Sequence, residues 1–141
     1  MIEELLAATG MVLVTVFIHA VGLVLLARLT RYEADEEKKL KIRPLSLAGV
    51  AFTMAVVLGL FVLHGIEIWL YAALYLELGA VETLRLAVYF STHTYAAIGF
   101  GDDLLDPRWR LLAAIEGING VILLGWSTAF FVTTMRRLGH F

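Results

Sequence analysis

A chain of 141 residues in which 60% are hydrophobic and 17% are charged has more apolar side chains than a soluble core of that size can shelter, so it belongs in lipid. A net charge of −2, with no Lys/Arg run resembling a nucleic-acid arm, excludes bulk attraction to nucleic acid. The absence of cysteine excludes disulfides, thiolate metal sites and cysteine nucleophiles.

The first ten residues, "MIEELLAATG", are acidic where a secretory signal is basic. The apolar stretch behind them is longer than a signal h-region of about 7–15 residues, so it is expected to stay in the mature protein. It runs from about Ala7 to Leu26, roughly 20 residues, the length that crosses a hydrocarbon core of about 30 Å. Residues 1–30 therefore read as an N-terminal transmembrane helix. Residues 31–44 read as a basic cytoplasmic loop, with Arg31 and Arg43 in it and Arg28 just before it; Lys38, Lys39 and Lys41 suit a solvated run beside anionic headgroups.

The next apolar stretch, 45–78, is too long for one straight crossing. It predicts an outer helix that overshoots the interface, with Trp69, Tyr71 and Tyr75 as an aromatic belt. A shorter helix follows over 83–96. Its more apolar part, Leu86 to Ala97, reaches only about 18 Å at roughly 1.5 Å per residue, too short to span and suited to a re-entrant helix. A glycine-bearing turn over 97–102 and an inner helix over 109–135 complete the pattern, closed by Arg136 and Arg137. The basic residues put the 31–44 loop and the C-terminus in the cytoplasm. The N-terminus and the Asp102, Asp103 and Asp106 loop then lie outside the cell membrane.

The segment "TYAAIGFGDD", 94–103, interrupts this apolar design. Irregular backbone at membrane depth survives only when buried in protein or lining a watery path. Ion filters use such backbone, because rings of carbonyl oxygens replace the water around an ion. Glycine permits the backbone angles that turn alternate carbonyls the same way. A short helix aimed by its C-terminus at that path adds negative dipole character there.

From "STHTYAAIGFGD" and the following "RWRLLAAIEGINGVILLGWSTAFF", the stretch from about Leu45 to Arg137 resembles the tetrameric potassium-channel superfamily. The family's filter pattern is T-x-x-T-[VI]-G-[YF]-G-D. Thr94 matches its first Thr, Ile98 its aliphatic residue, Gly99 and Gly101 its glycines, Phe100 its aromatic residue and Asp102 its acid. The resemblance implies a homotetrameric pore domain over 45–141 in an all-α membrane protein of three transmembrane helices and a re-entrant pore helix. Potassium would sit at the carbonyls of Ala97, Ile98, Gly99 and Phe100, with Ala97 at the inner entrance and Gly101 closing the strand. Ala97 departs from the family's second Thr, which implies a weaker innermost ion site. The helix before the pore unit carries no row of arginines, so it is not a voltage sensor of the usual kind. Gly120 resembles a gating-hinge glycine, while close helix packing would demand a small residue equally.

His19, His64, Glu67, His93, Glu116 and Asn119 lie in or beside apolar stretches, where ionisable groups are functional candidates by default. Counting residues from the expected span ends puts His19 and His64 about 15 Å apart in depth, which separates them as ligands of one iron. His64 and Glu67 share a helix face at i,i+3. They are expected to meet His93, bracing the filter and titrating near neutral pH. Glu116 either supports the filter, paired with backbone or Arg110, or faces the vestibule. Asp102 either braces the pore helix or charges the mouth, and the family precedent favours bracing. Phe130 and Phe131 form an inner constriction or face lipid.

The expected function is passive conduction of monovalent cations, potassium foremost, with no cofactor beyond potassium ions in the filter. The alternative is a weakly selective or non-conducting sensor or scaffold that keeps the architecture. No nucleophile or ligand spacing supports an enzyme, and no nucleotide-binding loop supports a pump.

Overall fold

The computed structural model of the protein describes residues 1–40, 47–99 and 102–137. Among the described residues, four α-helices carry the fold: α1 (Ile2–Leu40), α2 (Leu47–Glu77), α3 (Leu84–Tyr95) and α4 (Arg110–Arg137), with two single 3₁₀ turns, Asp102–Leu104 and Pro107–Trp109, between α3 and α4. There is no strand among the described residues. Three helical segments among the described residues, Ile2–Leu29, Leu47–Glu77 and Pro107–Arg137, are long and apolar enough to cross a membrane. Large apolar side chains such as Phe17, Phe61 and Ile122 are more than half exposed, so the outside is as oily as the inside. This is an all-α, multi-pass membrane protein.

Two features differ from the sequence-based expectation. The helix begun in the first span continues to Leu40 instead of ending in a loop at 31, because "RYEADEEKKL" is built mostly of strong helix formers. Residues 41–44 of that loop lie outside the described residues, as do the side chains of Arg31, Lys38 and Lys39. The proposed belt also divides. Trp69 is 56% exposed, but Tyr71 and Tyr75 are fully buried, because both hydroxyls find polar partners inside the bundle.

Helix α2, at 31 residues, is about 46 Å long and does overshoot a bilayer core of roughly 30 Å. It ends on Gly79 at φ +62, with Gly79 N–H donating to Leu76 O and Ala80 N–H to Tyr75 O. That paired closure turns the chain directly into α3. Helix α3 opens on Thr83, whose hydroxyl accepts from Leu86 N–H. Its 12 residues make it about 18 Å long, so it enters without crossing.

α3 packs between α2 and α4, while α1 lies along α4 and α2. The core has two parts. One gathers Tyr71, Tyr75, Phe90, Tyr95, Trp109, Leu112 and Leu123 around α3. The other joins Leu23, Phe52, Leu60, Leu63 and Met135, with Phe130 and Phe131 packed on its edge. The N-terminal helix also serves α4 directly: Glu4 Oε1 accepts from Leu111 N–H at 3.0 Å, satisfying one of the free amides in the first turn of α4.

Candidate functional site

The site begins on one face of α3. Ser91 and Tyr95 are four residues apart, hence stacked on the same side of the helix, and both are buried. Each is held by a buried glutamate from a spanning helix. Glu116 on α4 accepts from Ser91 Oγ at 2.5 Å and from the Tyr75 hydroxyl at 2.6 Å. Ser91 Oγ also lies 3.0 Å from the Ile68 carbonyl of α2. Glu67 on α2 accepts a short hydrogen bond from the Tyr95 hydroxyl. Two carboxyl groups thus pin the short helix at two heights. Glu116 stands behind α3, bonded to hydroxyls rather than to Arg110 or backbone, and does not face a vestibule.

The Glu67 end is crowded. His19 Nδ1 lies 2.9 Å from Glu67 Oε1, and His64 Nδ1 lies 3.3 Å from Glu67 Oε2. His64 bridges the Tyr95 hydroxyl at 3.0 Å and Ser127 Oγ at 2.9 Å, while Ser127 Oγ lies 3.3 Å from His19 Nε2. The two imidazole centroids are 5.2 Å apart. This corrects the separation in depth expected for His19 and His64. α2 is so long that counting upward from residue 45 placed His64 too high. Measured from the ends at Ile2 and Glu77, the two histidines sit about 25 and 20 Å down their helices.

His93 is not part of this cluster. Two residues before Tyr95, it lies about 200° around the helix on another face, where its ring packs on Tyr89 at 4.3 Å. Tyr95 occupies the place expected for His93. Asn119 joins α4 to both flanking helices, donating to Thr15 Oγ1 at 2.8 Å and to the Tyr71 hydroxyl at 3.2 Å.

Below Tyr95 the helix closes with Ala97 N–H donating to Thr94 O and Ile98 N–H to His93 O, both at 2.9 Å. This closure needs a left-handed residue, and Ala97 takes that place at φ +53, where α2 uses glycine. Gly99 follows at φ +78, and Ile98 is 53% exposed. Phe100 and Gly101 lie outside the described residues, as does the Asp102 side chain. A left-handed non-glycine residue costs about 1–2 kcal/mol. Ala97→Gly should therefore raise the stability of the purified protein by about 1 kcal/mol, and Ala97→Thr, β-branched, should lower it by a similar amount. Thermal unfolding of the two variants in detergent, side by side, checks the sign.

Gly120 meets the end of this helix. A β-carbon there would lie 2.0 Å from the Tyr95 carbonyl oxygen, so α4 touches α3 backbone to backbone. At Gly117 the same addition meets Thr94 O at 3.2 Å, and at Gly125 it meets nothing within 4 Å. An open groove runs along this edge, lined by Thr94, Ala97, Gly99, Gly117 and Val121 among others.

Ser91, Tyr95 and Ser127 were missed as site members, and His19, a candidate from its place in the membrane, was kept apart from His64 by the depth count. The available signal was the polar i,i+4 pair Ser91/Tyr95 on a short, mostly apolar helix.

A family model described as an ion channel matches residues 50–137, which takes in α2, α3, the turn after it and α4. No curated protein and no solved structure matches the chain. With that match over more than half its length, and a short helix held between two spanning ones, the chain belongs to the ion-channel family of the two-span, potassium-channel pore type, with one further membrane helix ahead of the matched unit.

Proposed function

We propose that four copies of this chain surround a common axis and conduct monovalent cations passively, potassium foremost. The carbonyls of Ala97, Ile98, Gly99 and Phe100 would replace the ion's hydration shell. The observation that carries this reading is the pinned helix. α3 is held by Glu67 and Glu116 at two heights and ends in a turn with left-handed residues at Ala97 and Gly99. A filter must hold its oxygens at fixed spacing, and rigid anchoring of the helix that feeds it supplies that stiffness.

The exposed face of α4 supports assembly. Ile118, Val121 and Ile122 are each more than half exposed and border the groove beside Thr94 and Ala97. Neighbouring copies would cover that edge. In this arrangement the N-terminus and the Asp103/Asp106 loop face outward, and the C-terminus faces the cytoplasm of a cell whose surface membrane holds the channel.

Reconstitution in liposomes under a potassium gradient, then a sodium gradient, tests the reading. Potassium flux blocked by barium, from a particle with the mass of four chains, is the expected result. A monomer, or silent liposomes under both gradients, would favour a sensor or scaffold that retains the architecture.

A further inference from the structure

Four donor atoms converge where α1, α2 and α3 meet, and their surroundings are those of a metal site. We propose that His19, His64, Glu67 and Tyr95 bind one divalent first-row transition metal of the zinc type inside the bundle. One ligand atom from each of His19, His64 and Glu67 falls within 4.8 Å of the other two. A tetrahedral ion with bonds of about 2.0–2.1 Å sets its ligand atoms roughly 3.3 Å apart. Distances near that value are present: 2.9 Å from His19 Nδ1 to Glu67 Oε1, 3.3 Å from His64 Nδ1 to Glu67 Oε2 and 3.0 Å from His64 Nδ1 to the Tyr95 hydroxyl, so that one Glu67 oxygen would have to turn toward both rings.

The hydrogen bonding around Ser127 accommodates such an ion. If both histidines are neutral and donate from Nδ1, both Nε2 atoms are acceptors, and the single Ser127 proton can serve one of them. If both Nδ1 atoms bind a metal, both Nε2 atoms carry protons. Ser127 Oγ, at 2.9 and 3.3 Å, then accepts both on its two lone pairs. An outer partner that fixes ligand histidines through the opposite ring nitrogen is the common support of a metal site. Nitrogen and oxygen donors with no thiolate suit zinc, cobalt, nickel or copper rather than magnesium or calcium. Loss of the Tyr95 proton on binding would leave the ion, Glu67 and Tyr95 with no net charge, which a buried site requires. His64, with 13% of its side chain exposed, is the point of entry.

Such an ion would fasten the N-terminal helix to the residue from which the filter turn departs. The test needs no ion conduction. Full-length protein purified in detergent is assayed for bound metal, stripped with chelator, and titrated with cobalt(II) and zinc(II). About one metal per chain and the intense visible absorption of four-coordinate cobalt are expected. Ser127→Ala, which keeps every ligand, should weaken binding about 10- to 100-fold. His93→Gln, which alters a histidine outside the cluster, should leave the stoichiometry unchanged. His64→Gln and Glu67→Gln should abolish the cobalt spectrum while helicity by circular dichroism is retained. The wild-type titration decides the matter if those two variants fail to fold. Stripped wild-type protein that takes up no cobalt, or a spectrum indifferent to both Ser127→Ala and His64→Gln, overturns the site.

Discussion

Gly120→Ala is expected to abolish cation flux and to destabilise the protein by about 3 kcal/mol or more, the upper end of overpacking costs. The obstruction is backbone: the added carbon would lie 2.0 Å from Tyr95 O and 2.8 Å from its carbonyl carbon, so no rotamer relieves it. α3 would have to leave α4, taking the turn at Ala97 with it. The two neighbouring glycines calibrate the result. Gly117→Ala meets one oxygen at 3.2 Å and should fall between. Gly125→Ala meets nothing within 4 Å and should gain up to roughly 1 kcal/mol from helix propensity alone. Thermal unfolding in detergent ranks the three, and liposome flux reports the pore. A hinge role predicts a different pattern, with altered opening and unchanged stability. If Gly120→Ala unfolds like Gly125→Ala, the close approach of α4 to Tyr95 is wrong.

Glu116→Ala is the second large effect. It leaves the buried Tyr75 hydroxyl without an acceptor, a loss of about 1–3 kcal/mol. It also opens a cavity behind α3, and large-to-small changes at such positions cost roughly 2–5 kcal/mol. Ser91 keeps the Ile68 carbonyl at 3.0 Å, so the helix loses one of its two anchors rather than both. Flux should be lost, and unfolding should shift by at least about 3 kcal/mol. Glu116→Gln keeps the shape and one accepting oxygen, and should lose roughly half as much. The double variant Tyr75→Phe with Glu116→Leu removes donor and acceptor together. It should recover most of the stability, because replacing both partners of a buried bond by apolar groups can be nearly neutral. Recovered stability without recovered flux would show that the anchor serves the filter and not merely the fold. A double variant no better than Glu116→Ala would refute the bond to Tyr75 as the source of the loss.

The spans, the short helix and the glycine turn were legible because each depends on local composition and length. Eighteen ångströms of apolar helix cannot cross a thirty-ångström core whatever it packs against, by rough helix arithmetic. The overshoot of α2 was readable for the same reason. The continuation of α1 to Leu40 was misread as a loop, because hydropathy ends where helix propensity does not; the change from apolar to charged residues marks the end of a span and not of a helix.

Which side chains meet was decided only in three dimensions. His19 and Glu67 are separated by 48 residues, and Ser127 and His19 by 108. Their contact depends on the relative heights of three helices and on the faces they turn to one another. Hydropathy carries no information on height once a helix is longer than the bilayer it crosses. The burial of Tyr71 and Tyr75 follows the same rule: an aromatic near a helix end suits a membrane interface or a core equally well until Asn119 and Glu116 arrive opposite. Local chemistry thus determined that this chain enters lipid and interrupts itself with a glycine-bearing turn. The packing of α1 and α4 against α2 and α3 decided which polar groups hold that turn, because unpaired polar groups in an apolar bundle are costly enough to select one docking over another.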